Sequence, residues 1–129
     1  MATHSIIKFY CEFTKEPILT VYQQCDGYIE GVGFELAKWL KDKKIINGIS
    51  SQTLDEGYAN GMGCLAAQFV ADHKTKIGSL YIVSHDNEQE YNYRVKLIDD
   101  KLIIEVDNFL GTPNDLIEYI KNNVDNDLI

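Results

Sequence analysis

Positive charge is what this 129-residue chain has least of: Arg94 is its single arginine, and Lys and Arg together number 12 against 20 Asp and Glu, a formal charge of −8. A nucleic-acid groove needs clustered Lys and Arg to neutralise phosphates, so no nucleic-acid partner is expected. Lys38, Lys41, Lys43 and Lys44 form one basic cluster, which reads as a solvated helix face. The stretch from Asp99 to Ile129 is acidic and would repel both nucleic acid and an anionic bilayer. Cysteine is scarce as well. Cys11, Cys25 and Cys64 make an odd count with no C-x-x-C spacing, which speaks against a disulfide framework and a zinc knuckle and favours buried free thiols. Whether Cys11 and Cys25 meet on neighbouring strands is left open. His4, His73 and His85 lack any i, i+4 or H-x-H spacing, so neither a metal site nor a cofactor is expected. No run approaches the roughly 18 to 20 continuous apolar residues of a membrane span, and the start "MATHSIIKFYCEF" lacks a basic signal-peptide region. No membrane partner and a reducing, cytosolic setting are the expectation.

What is present is one domain's worth of chain, residues 1–129, with 45% hydrophobic content, enough for one packed core. Ser5 to Phe13 alternates with period two, Thr14 to Pro17 turns, and Ile18 to Cys25 resumes the alternation, which predicts a hairpin. From Gly33 the spacing becomes helical through Phe34, Ala37 and Leu40 until Asn47-Gly48. After the polar connection "GISSQTLDEG", the positions Met62, Leu65, Ala66, Phe69, Val70 and His73 follow one buried helical face. Ser79 to Ser84, Tyr91 to Ile98 and Lys101 to Asp107 read as strands, with a tight turn at Asp99-Asp100 and a polar, mobile loop from His85 to Glu90. Thr112-Pro113-Asn114-Asp115 starts a last helix, with Leu116, Ile117, Ile120 and Val124 as its apolar side and residues 122–129 fraying. The order ββααβββα groups like with like. It predicts an α+β domain: an antiparallel sheet of about five strands covered by two to three helices.

Chemistry has to be sought in "DGYIEGVG", Asp26 to Gly33. A dinucleotide fingerprint needs G-x-G-x-x-G, but Gly31-Val32-Gly33 is followed by Phe34, Glu35 and Leu36, and no Walker lysine follows. Asp26 and Glu30 would moreover oppose a bound phosphate. The stretch has an echo: "DGYIEGVGFELA" is followed by "EGYANGMGCLAA", two glycine turns each running into an apolar helix. One reading is structural, with Gly27, Gly31, Gly33, Gly57, Gly61 and Gly63 shaping two matching helix starts. The other is functional, with the two starts converging so that Asp26, Tyr28, Glu30, Tyr58 and Asn60 line one pocket. A thiol enzyme built on Cys25 with His73 or His85 needs closeness that spacing does not show, so no catalytic residue is named.

Around these residues the chain resembles a family of small proteins of bacteriophages, bacteria and large DNA viruses, marseillevirus-like giant viruses among them. The resemblance lies in "MATHSII", in "YQQCDGYIEGVG", in "NGMGCLAAQFVADHK", and in "GSLYIVSHD" with "EYNYRV". Gln23, Gln24 and Cys25 stand where the family pattern has Cys, His and Trp, while the glycine turn itself persists. That resemblance implies a viral or phage-type accessory or virion-associated protein, located in the virion or host cytoplasm, with no assigned reaction. The expected activity is binding or self-association as a homodimer, or with a viral or host protein, using Tyr10, Tyr22, Tyr91 and Tyr93 on the sheet. The alternative is a small-molecule or nucleotide-handling enzyme with its pocket between the Asp26–Gly33 and Glu56–Gly63 turns.

Overall fold

A computed structural model describes residues 2–48 and 57–124. The expected connection through 49–56 lies outside the described residues; of the tail expected to fray at 122–129, residues 122–124 are helical and 125–129 lie outside the described residues. Strands β1 (Ser5–Tyr10) and β2 (Pro17–Gln23) form the expected antiparallel hairpin, with Ile7 opposite Val21. A single π-turn, Ile29–Gly33, runs directly into helix α1 (Phe34–Leu40). Two short strands follow, β3 (Lys44–Ile46) and β4 (Tyr58–Asn60), before α2 (Gly61–His73). The chain continues through β5 (Tyr81–Ile82), β6 (Tyr91–Ile98), β7 (Lys101–Val106), β8 (Phe109–Gly111) and α3 (Pro113–Val124).

The class is α+β: the described residues form three α-helices and a mostly antiparallel sheet of six strands in the order β5-β2-β1-β6-β7-β8. Two features depart from the expected antiparallel sheet of about five strands. The central pair β1 and β6 is parallel, and β3 pairs with β4 in a separate two-stranded parallel sheet. A parallel neighbour for β1 requires the chain to cross over with helices in between, and α1 and α2 occupy that crossover. The first helix also stops early, at Leu40 instead of Asn47. Lys41 donates its N–H to Ala37 and Lys43 to Leu40, closing the last turn, and the β-branched Ile45 and Ile46 then pair with Ala59 and Asn60. The strand expected over Ser79–Ser84 shrinks to Tyr81–Ile82, an edge segment with one neighbour.

The core lies between the sheet and the helices. Ile7, Phe9, Val21, Tyr93, Val95 and Ile104 supply the sheet side, with Leu36, Leu40, Met62, Leu65, Phe69 and Leu116 opposite. The α2 stripe is buried as the spacing predicts at Met62, Leu65, Ala66 and Phe69. The other face of the sheet is partly covered too, for Ile6 and Thr20 are fully buried. The segment expected to be a mobile loop is pinned to this face: Thr20 Oγ1 is hydrogen-bonded to His85 Nδ1 at 2.8 Å, and Asn92 Nδ2 donates to Gln89 O at 2.7 Å.

The two glycine turns are built differently. In the first, a Cβ on Gly31 would lie 2.3 Å from Asp26 O, and one on Gly33 would lie 3.1 Å from the Tyr93 ring. The second turn needs glycine at Gly61 for its φ of +85°, while a Cβ on Gly63 would meet nothing within 4 Å. Tyr93 is fully buried and donates its hydroxyl to Gly27 O at 2.7 Å. Gly33→Ala is therefore expected to destabilise by about 1–3 kcal/mol through overpacking. Tyr93→Phe, which orphans the Gly27 carbonyl, should cost about 1–3 kcal/mol. Gly63→Ala should stabilise by roughly 0.5–1 kcal/mol, because alanine suits a helix interior better. Urea unfolding midpoints of the three variants check the signs.

Candidate functional site

A cleft of about 390 Å³ opens beneath the first glycine turn, and the chain supplies its walls from four places. The turn and the start of α1 contribute Asp26, Tyr28, Glu30, Gly31 and Glu35. The end of β2 and the residues after it contribute Gln23 and Cys25, and the C-terminal half of α2 contributes Phe69 and His73. Ile7 of β1, with Val32 and Leu36, makes an apolar floor.

The turn takes this shape for local reasons. Asp26 adopts φ +58°, a conformation that aspartate tolerates better than most residues. Gly27 donates its N–H to Thr3 O at 2.9 Å, tying the turn to the start of β1. Val32 N then donates to Asp26 O at 2.8 Å across the gap that Gly31 leaves open. The tie to Tyr93 holds the other side, and burial pushes the Tyr93 phenol far above its ordinary range, so it remains a donor.

The cleft is one-sided in charge. Asp26, Glu30 and Glu35 line it, and among the described residues no lysine or arginine does. Among the described residues Glu35 pairs with Lys38 at 3.9 Å on the exposed surface, whereas Asp26 and Glu30 have no ion-pair partner. Tyr28 donates its hydroxyl to Asp26 Oδ1 at 3.1 Å, and that hydrogen bond, with the carboxylate charge behind it, raises the Tyr28 pKa. His73 has a defined tautomer: its Nδ1 lies 2.8 Å from Phe69 O, and a carbonyl can only accept, so Nδ1 carries the proton in the neutral ring. That leaves Nε2 as an acceptor. The ring is stacked on Phe69 at 4.1 Å and meets the edge of Trp39 at 5.5 Å, while Trp39 Nε1 donates to Asp72 at 2.8 Å. Gln23 also lines the cleft, and among the described residues its buried Oε1 has no hydrogen-bond partner.

Of the residues expected in one pocket, the fold brings together Asp26, Tyr28 and Glu30 and sets Tyr58 and Asn60 apart. This corrects the idea of a pocket between the two glycine turns. The first turn sits at the start of β1, beside Thr3, His4 and Ser5. The second sits at the far end of the same hairpin, where Glu12 Oε2 accepts from Met62 N at 3.0 Å. Tyr58 lies in β4, and Asn60 Oδ1 accepts from Gly48 N. A strand length separates the two. The cysteines stand apart for the same reason, with Cys11 at the hairpin tip, Cys25 beyond its open end, and all three thiols free. Cys25 is exposed instead of buried. Cys25 and His73 do line the same cleft, but among the described residues no hydrogen bond joins them.

Sequence reasoning missed Gln23, Glu35 and the aromatic wall. Glu35 lies five residues after Glu30, in the first turn of α1, and carries no local mark of the cleft; nothing local points from Phe69 or His73 to Asp26. Compared with family models, with curated proteins and with solved structures, the chain matches none. The resemblance to phage and large-virus proteins therefore rests on its quoted motifs. Removing the carboxylate charge removes the cause of the Tyr28 shift. In Asp26→Asn the Tyr28 phenol should titrate at lower pH than in the unsubstituted protein, as read by tyrosinate absorbance against a Tyr28→Phe control.

Proposed function

We propose that this protein acts by binding, and that its acidic cleft takes a cationic, donor-rich group, such as the ammonium or guanidinium of a basic side chain offered by a protein partner. The observation that carries the reading is three carboxylates around one cleft with no cation lining it. Nε2 of His73 is a further acceptor, and the apolar floor suits the methylene stem behind a charged head. A nucleotide-handling role for this cleft is opposed by the same carboxylates, which repel phosphate. An accessory or virion-associated protein that engages a viral or host partner, in the virion or host cytoplasm, fits this proposal.

Agmatine and putrescine, as the simplest guanidinium and ammonium probes, test it by perturbing backbone amide resonances. Saturable shifts confined to residues 23–36 and 69–73 are expected. The Asp26→Asn/Glu30→Gln double variant should weaken them at least about tenfold, the equivalent of roughly 1.4 kcal/mol. Absence of saturable shifts at high millimolar amine would overturn the reading.

Self-association belongs to the same proposal, but on other residues than the four tyrosines. Tyr93 is fully buried and Tyr91 packs against the core on the helix side, which leaves only Tyr10 and Tyr22 on the opposite face. The exposed apolar side chains that are available lie on and before the edge strand β5: Ile82 is 70% exposed and Tyr81 42%, with Ile77 in the preceding turn at 96%. The unpaired backbone of this edge, short as it is, and the apolar side chains beside it are what a second copy would cover. A light-scattering mass of two chains at micromolar concentration, falling to one in Ile82→Lys, is the expected result; a single-chain mass for the unsubstituted protein sinks the homodimer.

A further inference from the structure

In so acidic a chain, converging lysines need an explanation, and four of them line one cavity of about 230 Å³ on the far side of α1. Lys41 and Lys43 come from the link between α1 and β3, and Lys44 opens β3. Lys101 opens β7 just after the Asp99-Asp100 turn, so residues about 60 positions apart in the chain are brought together by the fold. Asp100 is the one acid in the lining. The floor is apolar and buried, from Leu40 and Leu102, and Pro113 at the first turn of α3 closes one side.

Among the described residues Lys38, Arg94 and Lys96 each lie within 4.0 Å of a carboxylate, and none of the four cavity lysines does. Lys43 is engaged only with an aromatic face, its Nζ 4.7 Å from the centre of the Trp39 ring. Four ammonium groups against one carboxylate repel one another unless an anion sits among them. The start of α3 contributes the same sign of potential, although Asp115 and Thr112 already cap each other there with bonds of 3.0 and 3.1 Å. The lysines carry the argument, and the helix end only adds to it.

We propose that this cavity is an anion site for a phosphate group, either inorganic phosphate or the phosphoryl end of a small metabolite. Lysine ammonium groups serve as point charges for such oxyanions without demanding one orientation. At about 230 Å³ the space is below the usual range for a drug-sized ligand, so the phosphate is held and the rest of a larger molecule projects outward. The site shares no residue with the acidic cleft and does not depend on the reading given for it.

The test is an amide-resonance titration of the full chain at about 0.15 M salt, where non-specific screening is already in place. Inorganic phosphate, pyrophosphate and AMP are the probes, with sodium chloride and a short DNA duplex as controls. Saturable shifts confined to residues 40–45, 100–102 and 112–115 are expected, with at least about tenfold weakening in Lys44→Gln/Lys101→Gln. Both lysines are exposed, so the unfolding midpoint should not move and a loss of binding is not a loss of fold. Stronger binding of phosphate than of AMP assigns the site to the free ion, and the reverse assigns it to a phosphorylated metabolite. Shifts that sodium chloride reproduces, that survive in the double variant, or that only the DNA duplex elicits would overturn the proposal.

Discussion

The hydroxyl of Tyr93 bonded to the carbonyl of Gly27 is the contact on which the rest of the molecule depends. It joins β6, the centre of the sheet, to a turn 66 positions earlier in the chain. Gly33 packs against the same ring, and Gly27 is held to Thr3 at the start of β1. One buried phenol therefore fixes both ends of the π-turn, and the turn in turn aims α1. Because the ring is desolvated, ionising it is strongly disfavoured, so the phenol remains a donor well above the ordinary tyrosine range. The cleft carboxylates inherit their positions from this anchor.

The molecule also separates its charge. Carboxylates gather where α1 begins, at Asp26, Glu30 and Glu35, and lysines gather just after it ends. The arrangement follows the helix dipole, which favours acids near the amino end and cations near the carboxyl end. A third group lies on the open face of the sheet, where Glu105 holds Arg94 at 3.6 Å and Lys96 at 3.3 Å. In that group the cations have a carboxylate partner; the other two are dominated by charge of one sign, which is why they are read as binding surfaces.

Much of the architecture was legible. Alternation marked β1, β2, β6 and β7, and the α2 stripe and the Thr112-Pro113 start were readable because burial and capping act over a few residues. Other features were not. Phe109–Gly111 is too short to alternate, and β3 hides in a helical-looking run because its partner lies beyond 49–56. The matching glycine turns misled: Gly33 is required by a ring across the sheet, whereas its counterpart Gly63 faces open space. Of the five residues expected to line one pocket, Asp26, Tyr28 and Glu30 do so, being neighbours in one turn.

By itself, the sequence determined the α+β class, most of the elements, the acidic balance and the importance of Asp26 to Gly33, because each rests on interactions within about one turn or one hairpin. Only the tertiary structure decided that β1 pairs in parallel with β6, that the two glycine turns lie at opposite ends of a strand, that His73 faces Asp26, and that Lys101 joins Lys41, Lys43 and Lys44. Those placements are set by which surfaces the core buries together, and two residues remote in the chain carry no local mark of the packing that will make them neighbours.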